Sequence, residues 1–206
     1  MKPKQIVPLK IVVHIACLLP LALLGWDFYK GQLGANPIEV ITHSTGSWTL
    51  NFLLITLSIT PLRVITGQPW LVRFRRMLGL YAFFYACLHF TTYIWLDQFF
   101  DWMGITKDVA KRPFITVGFA AFLTLIPLAL TSTKAAVRFL TGRRWQMLHR
   151  LIYVAAILGV IHYLWLVKAD IRSPVTYGII LGALLVYRIV VVMKWPGLGR
   201  PKAAES

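Results

Sequence analysis

Charge is scarce in this chain of 206 residues: Asp, Glu, Lys and Arg together make up 14%, and only seven residues are acidic. Soluble domains carry nearly twice that share of charge, about a quarter, so an ordinary water-soluble fold is excluded. Cysteine is almost absent. Cys17 and Cys87 stand singly in apolar runs without CxxC spacing, which argues against both a disulfide framework and a zinc site. No strand-like alternation occurs, and no GxGxxG fingerprint follows a strand, so a dinucleotide-binding domain is not expected. Long polar insertions, low-complexity tracts and a convincing internal repeat are missing too. The chain therefore reads as a single domain over residues 1–206.

Apolar residues are abundant, at 58% of the chain with a mean hydropathy of +0.68. They gather into six segments, at residues 7–26, 44–62, 77–96, 114–131, 147–167 and 175–193. A helix needs roughly 20 apolar residues to cross a bilayer, so the expected architecture is an all-α membrane protein, a bundle of six transmembrane helices. The second segment is clearly apolar from Trp48, and an earlier start near His43 stays open. Gly31, Gly34 and Pro37 mark the break after the first segment, and Pro61, Gly67 and Pro69 the break after the second. Pro113 and Pro174 open the fourth and sixth. The N-terminus superficially resembles a signal peptide but lacks a small-residue cleavage site, so it is read as a retained first helix.

The net charge of +15 would suggest nucleic acid in a soluble chain. In a membrane protein it reflects the enrichment of Lys and Arg in cytoplasmic loops, and no nucleic-acid partner is expected. With the N-terminus inside, fifteen basic residues fall on cytoplasmic segments and six outside, while six of the seven acids fall outside. Both termini are therefore expected in the cytoplasm, with the lipid bilayer as the chain's solvent.

Ionisable side chains inside a span are costly and usually face a partner, a cavity or a cofactor. His89 and His162 sit at similar depth on two different inward-to-outward segments. A facing pair of imidazoles suits axial ligation of one haem, which would then carry electrons rather than bind oxygen. His149 opens the fifth segment, 13 residues before His162. That gap places the two rings about 20 Å apart along a straight helix but about 140° apart around it. Depth suits a second, inner haem better than azimuth does, and an interfacial anchor is the alternative role for His149. His14, on the first segment, is a candidate extra ligand opposite it. His43 reads as a capping or loop residue. Arg75 and Arg76 suit surface anchoring, or contacts to haem propionates or a flavin phosphate.

Three functions stay open on these residues: a haem electron-transfer subunit, a stand-alone quinol-dependent metal reductase, and a small proton-relay transporter. The last is weakened because no Asp or Glu lies inside a span.

The stretches RRMLGLYAFFYACLH and WQMLHRLIYVAAILGVIHYLW, with GLGANP, THSTG, ITPL and LTSTKAA in this order, resemble the MsrQ (YedZ) family, itself related to ferric reductase transmembrane domains. The likeness covers nearly the whole chain. It implies b-type haem, one or two per chain, in a multi-pass protein of the bacterial inner membrane, with FMN also attributed to the family. His89, His149 and His162 match the family's haem-associated histidines. The resemblance further implies electron delivery from the quinol pool, or from a cytosolic flavin reductase, to MsrP. That partner is a periplasmic molybdopterin enzyme that reduces methionine sulfoxide in proteins, a repair reaction. No catalytic residue is then expected in this chain, since catalysis would reside in the partner. In the wider ferric reductase pattern the third helix carries two histidines; here arginine stands near the place of the inner one. Ferric reductases also continue into a flavin and nicotinamide domain after the last helix, for which this sequence has no counterpart, so a separate electron donor is expected.

Overall fold

The computed structural model describes residues 3–194, and among them every regular element is helical. The helices are α1 (Pro3–Tyr29), α2 (Pro37–Thr66), α3 (Val72–Thr91), α4 (Trp102–Lys111), α5 (Pro113–Leu130), α6 (Lys134–Leu148), α7 (Leu151–Leu166) and α8 (Arg172–Lys194). Five of these helices are long and apolar enough to cross a membrane. The bent pair α6–α7 raises the number to six. The six-span, all-helical expectation therefore holds, with differences in where the helices begin and what joins them.

Proline accounts for most of the shifted boundaries. Pro37 was expected to separate the first two segments, but it opens α2 as its first residue, with the Asn36 side chain accepting from the Glu39 N–H. A proline is harmless there because that position has no helical N–H partner anyway. Pro61, expected to end the second segment, lies inside α2, which runs on to Thr66. In bundles of membrane helices the hydrogen bond lost at proline is tolerated because neighbouring groups make good the loss. Pro127 likewise lies inside α5.

Two helices were not expected at all. α4 lies in the connection between the third and fourth spans, its N-terminus capped by Asp101, which accepts from the N–H groups of Met103 and Gly104. α6 covers much of the basic connection before the fifth span and is interrupted at Thr141, whose φ of 60° is non-helical. α3 is preceded by a short 3₁₀ turn at Pro69–Leu71 and followed by a π-helical turn at Thr92–Asp97.

α2 packs mainly against α3, and α5 mainly against α7; these two pairs form the centre of the bundle. Phe90 and Phe83 of α3 stack on Phe122 of α5 at 4.6 and 6.0 Å between ring centroids, joining the pairs. Small residues let the helices approach: Ala82 of α3 and Ala155 and Ala156 of α7 are buried. α1 lies along the outside of α2 and α3, tied by the Tyr85 hydroxyl donating to the Cys17 carbonyl at 2.8 Å. α8 closes the other flank, where the Tyr177 hydroxyl donates to Asn51 Oδ1 at 2.9 Å. The periphery is strongly apolar; Ile11, Ile15, Leu23, Ile179 and Val186 are all exposed. Such a surface is stable only in lipid.

Candidate functional site

His89 stands near the end of α3 and His162 near the end of α7, where α2 and α5 begin. Their ring centroids are 6.1 Å apart, with the ring planes at 75°. Each ring is fixed in the same way. His89 Nδ1 donates to the Thr42 carbonyl at 2.9 Å, and His162 Nδ1 donates to the Phe114 carbonyl at 2.7 Å. A carbonyl only accepts, so the ring proton sits on Nδ1 in both residues and the Nε2 lone pair is left free.

The space for each ring is set by a missing side chain. A Cβ on Gly46 would lie 3.0 Å from His89 Cε1, and one on Gly118 would lie 2.6 Å from His162 Nδ1. Gly46 follows Thr42 by four residues, and Gly118 follows Phe114 by four. Carbonyl and glycine thus lie one helical turn apart on the same face of α2 and of α5. The two half-sites repeat one device on two unrelated stretches of sequence.

This arrangement fits a metal held between the rings. Two imidazoles on one metal, with bonds of about 2 Å each and a ring radius of about 1 Å on either side, place their centroids about 6 Å apart. Ligating histidines characteristically donate the other ring N–H to a carbonyl or carboxylate. Among the described residues no group of three or more His, Cys, Asp or Glu could hold a metal ion. The pair therefore suits a metal that brings its own equatorial ligands, as a haem iron does.

His149 is placed differently. It falls in the break between α6 and α7, whose axes differ by 41°, and not on a straight fifth helix. The turn is closed by short-range bonds, Arg150 N–H to the Met147 carbonyl and Tyr153 N–H to the Arg150 carbonyl. The ring stacks on Trp145 with centroids 3.8 Å apart, and Nε2 is 3.1 Å from Thr131 Oγ1. Thr131 already donates its hydroxyl proton to the Pro127 carbonyl, so toward His149 it accepts, and Nε2 carries the proton. The nitrogen that is free at His89 and His162 is the occupied one at His149. His14, the candidate partner for His149, is exposed on α1 with Nδ1 2.8 Å from the Tyr81 hydroxyl. Among the described residues no hydrogen bond or ring contact joins it to His149.

Arg75 and Arg76 part company. Arg75 is partly buried and lines a cavity between α2, α3, α7 and α8, whereas Arg76 is exposed. His43 is exposed in the first turns of α2, one residue from the Thr42 carbonyl that matters. The sequence reading passed over Gly46 and Gly118 and the two carbonyls. The four-residue spacing to a glycine at the start of the second and fourth spans was the available signal.

Residues 43–160 match the family described as the ferric reductase like transmembrane component. That match contains His89 and His149 and ends two residues short of His162. Over 189 residues, 91% of this chain and 87% of the relative, the sequence is 56% identical to the protein-methionine-sulfoxide reductase heme-binding subunit MsrQ of Herminiimonas arsenicoxydans. Proteins of the same name from Azospira oryzae and Rhodospirillum rubrum are 50% and 53% identical, covering 98% and 93% of this chain and 89% and 92% of their own lengths.

Proposed function

The chain belongs to the MsrQ family within the ferric reductase-like transmembrane proteins, and from that premise we propose that it is the haem-binding, electron-transferring subunit of a protein-methionine-sulfoxide reductase. The observation that carries this reading is the His89–His162 pair, 6.1 Å between centroids, with both Nδ1 protons committed to carbonyls.

In this reading His89 and His162 hold a b-type haem through Nε2. Thr42 and Phe114 orient the two rings, and Gly46 and Gly118 leave room for them. When bound, a haem would supply a one-electron carrier at this place. The carbonyl bonds hold each imidazole in the tautomer that leaves Nε2 free. Phe114, 6.2 Å from the His162 ring, adds apolar surface beside the site. Among the described residues no carboxylate bonds to either ring, which supports an electron route over a proton relay.

The direction of transfer follows from the charge asymmetry. With both termini in the cytoplasm of an inner-membrane protein, the His89–His162 pair lies toward the periplasm. It would there face a periplasmic molybdopterin enzyme of the MsrP kind, which performs the methionine sulfoxide chemistry. Electrons would enter from the quinol pool or a cytosolic flavin reductase, with FMN as a second cofactor. His149 is the candidate ligand for an additional haem. To serve as one it must either use Nδ1 or release Thr131.

The test is the reduced-minus-oxidised absorption spectrum of purified protein, with haem counted per chain. Wild type should show a low-spin b-type signal that His89→Ala and His162→Ala each abolish. A wild-type chain without haem would overturn the reading.

A further inference from the structure

At the end of the bundle opposite His89 and His162, a narrow cavity is lined by Thr60 and Pro61 of α2, Arg75 of α3, Tyr153 of α7, and Leu184 and Arg188 of α8. Arg75 and Arg188 both lie within membrane-spanning helices and are partly buried. An unpaired cation at such a position is costly, and cations there usually find a carboxylate or another anion. Among the described residues no carboxylate pairs with either arginine. Among the described residues the ion pairs are Arg112–Asp108 and Arg172–Asp170, both at the other end of the bundle. Arg63 and Arg188 are cations like Arg75 at the same end of the bundle, and Tyr153 is the polar neighbour. Among the described residues, two guanidiniums from different helices thus line one cavity with a tyrosine hydroxyl and no negative charge.

The geometry points to a binding site for a phosphate-type oxyanion, gripped by Arg75 and Arg188 with the Tyr153 hydroxyl as a further donor. Guanidinium is the side chain best suited to this task, because its planar fork meets two oxygens of a phosphate at once. The cavity measures about 10 Å³, the space of roughly one water. It therefore admits the oxygen tip of a ligand and leaves the body outside. That excludes a whole ring system inside the cavity and selects a phosphate ester anchored by its charged end. A phospholipid headgroup and a soluble phosphate ester share that chemistry. The site is remote from the His89–His162 pair and stands whether or not that pair holds a haem.

Two arms separate the sources, both on the full chain. In detergent, pyrophosphate is titrated against the purified protein by calorimetry. In lipid nanodiscs of phosphatidylcholine with or without phosphatidylglycerol, retained lipid is counted by native mass spectrometry. Wild type should bind one of the two probes. Arg75→Gln and Arg188→Gln should each weaken that binding about tenfold or more, and Tyr153→Phe about threefold. Arg73→Gln and Arg76→Gln, both at exposed positions, should change it less than twofold. Retention of phosphatidylglycerol identifies a lipid headgroup; pyrophosphate binding identifies a soluble ester. The proposal is overturned if wild type holds neither probe, if Arg188→Gln binds like wild type, or if the exposed-arginine controls lose as much as Arg188→Gln. Arg188→Gln decides the matter should Arg75→Gln fail to fold.

Discussion

Where α2 and α5 begin, His89 and His162 each turn Nδ1 to a helix carbonyl and rest against a glycine. At the opposite end His149 lies flat on Trp145 and is held through Nε2 by Thr131, on the side of the bundle where Arg75 lies. All three histidines lie in or beside membrane-spanning helices, and their residue type does not separate them. The partner of one ring nitrogen does. A histidine whose Nδ1 is fixed offers Nε2 to a metal, while one whose Nε2 is fixed is held as a structural or proton-bearing group until something displaces its partner. The two ends of the bundle are therefore chemically unequal, although each carries histidine.

The sharpest way to break this comparison is to remove the rings. His89→Ala and His162→Ala should each eliminate the low-spin haem signal entirely, whereas His149→Ala should leave that signal standing. If His149→Ala abolished the same band to the same extent, the two ends would not be separate sites. Crowding the rings comes next. Gly118→Ala places a methyl 2.6 Å from His162 Nδ1, and Gly46→Ala one 3.0 Å from His89 Cε1. If the rings hold a haem as proposed, displacing one by a few tenths of an ångström should lower haem retention about tenfold, worth about 1.4 kcal/mol, for Gly118→Ala, with a smaller loss for Gly46→Ala. Haem content after dialysis against apomyoglobin reads both, and equal retention in all three proteins would remove the glycines from the site. Thr131→Val frees His149 Nε2 and should cost about 1 kcal/mol of stability with no change in the His89–His162 spectrum. The smallest effect is expected at His14. His14→Ala should alter neither haem content nor spectrum, and a loss of any haem signal would bring α1 into the site.

Much of the fold was legible in the residues, because a bilayer imposes length and hydropathy on every helix that crosses it. The spans, the paired histidines at matching depth and the uneven distribution of charge all follow from that constraint. Helix boundaries at Pro37 and Pro61 were not legible. A proline can open a helix or sit within one, and only its neighbours decide which. The break at His149–Arg150 was hidden for a related reason, since residues 147–167 are uniformly apolar enough to read as one helix. Gly46 and Gly118 carry no chemistry of their own, so their importance is visible only as the space a ring from another helix occupies.

By itself, then, the sequence determined a helical membrane bundle, its charge asymmetry, and His89 and His162 as the intramembrane pair. Hydropathy and ionisability are properties of residues in order. The tertiary structure alone decided which nitrogen each histidine keeps free, which glycines make room, that Arg75 and not Arg76 faces inward, and that Arg188 joins it from α8. Those facts depend on which helices lie side by side, and a one-dimensional pattern does not contain them.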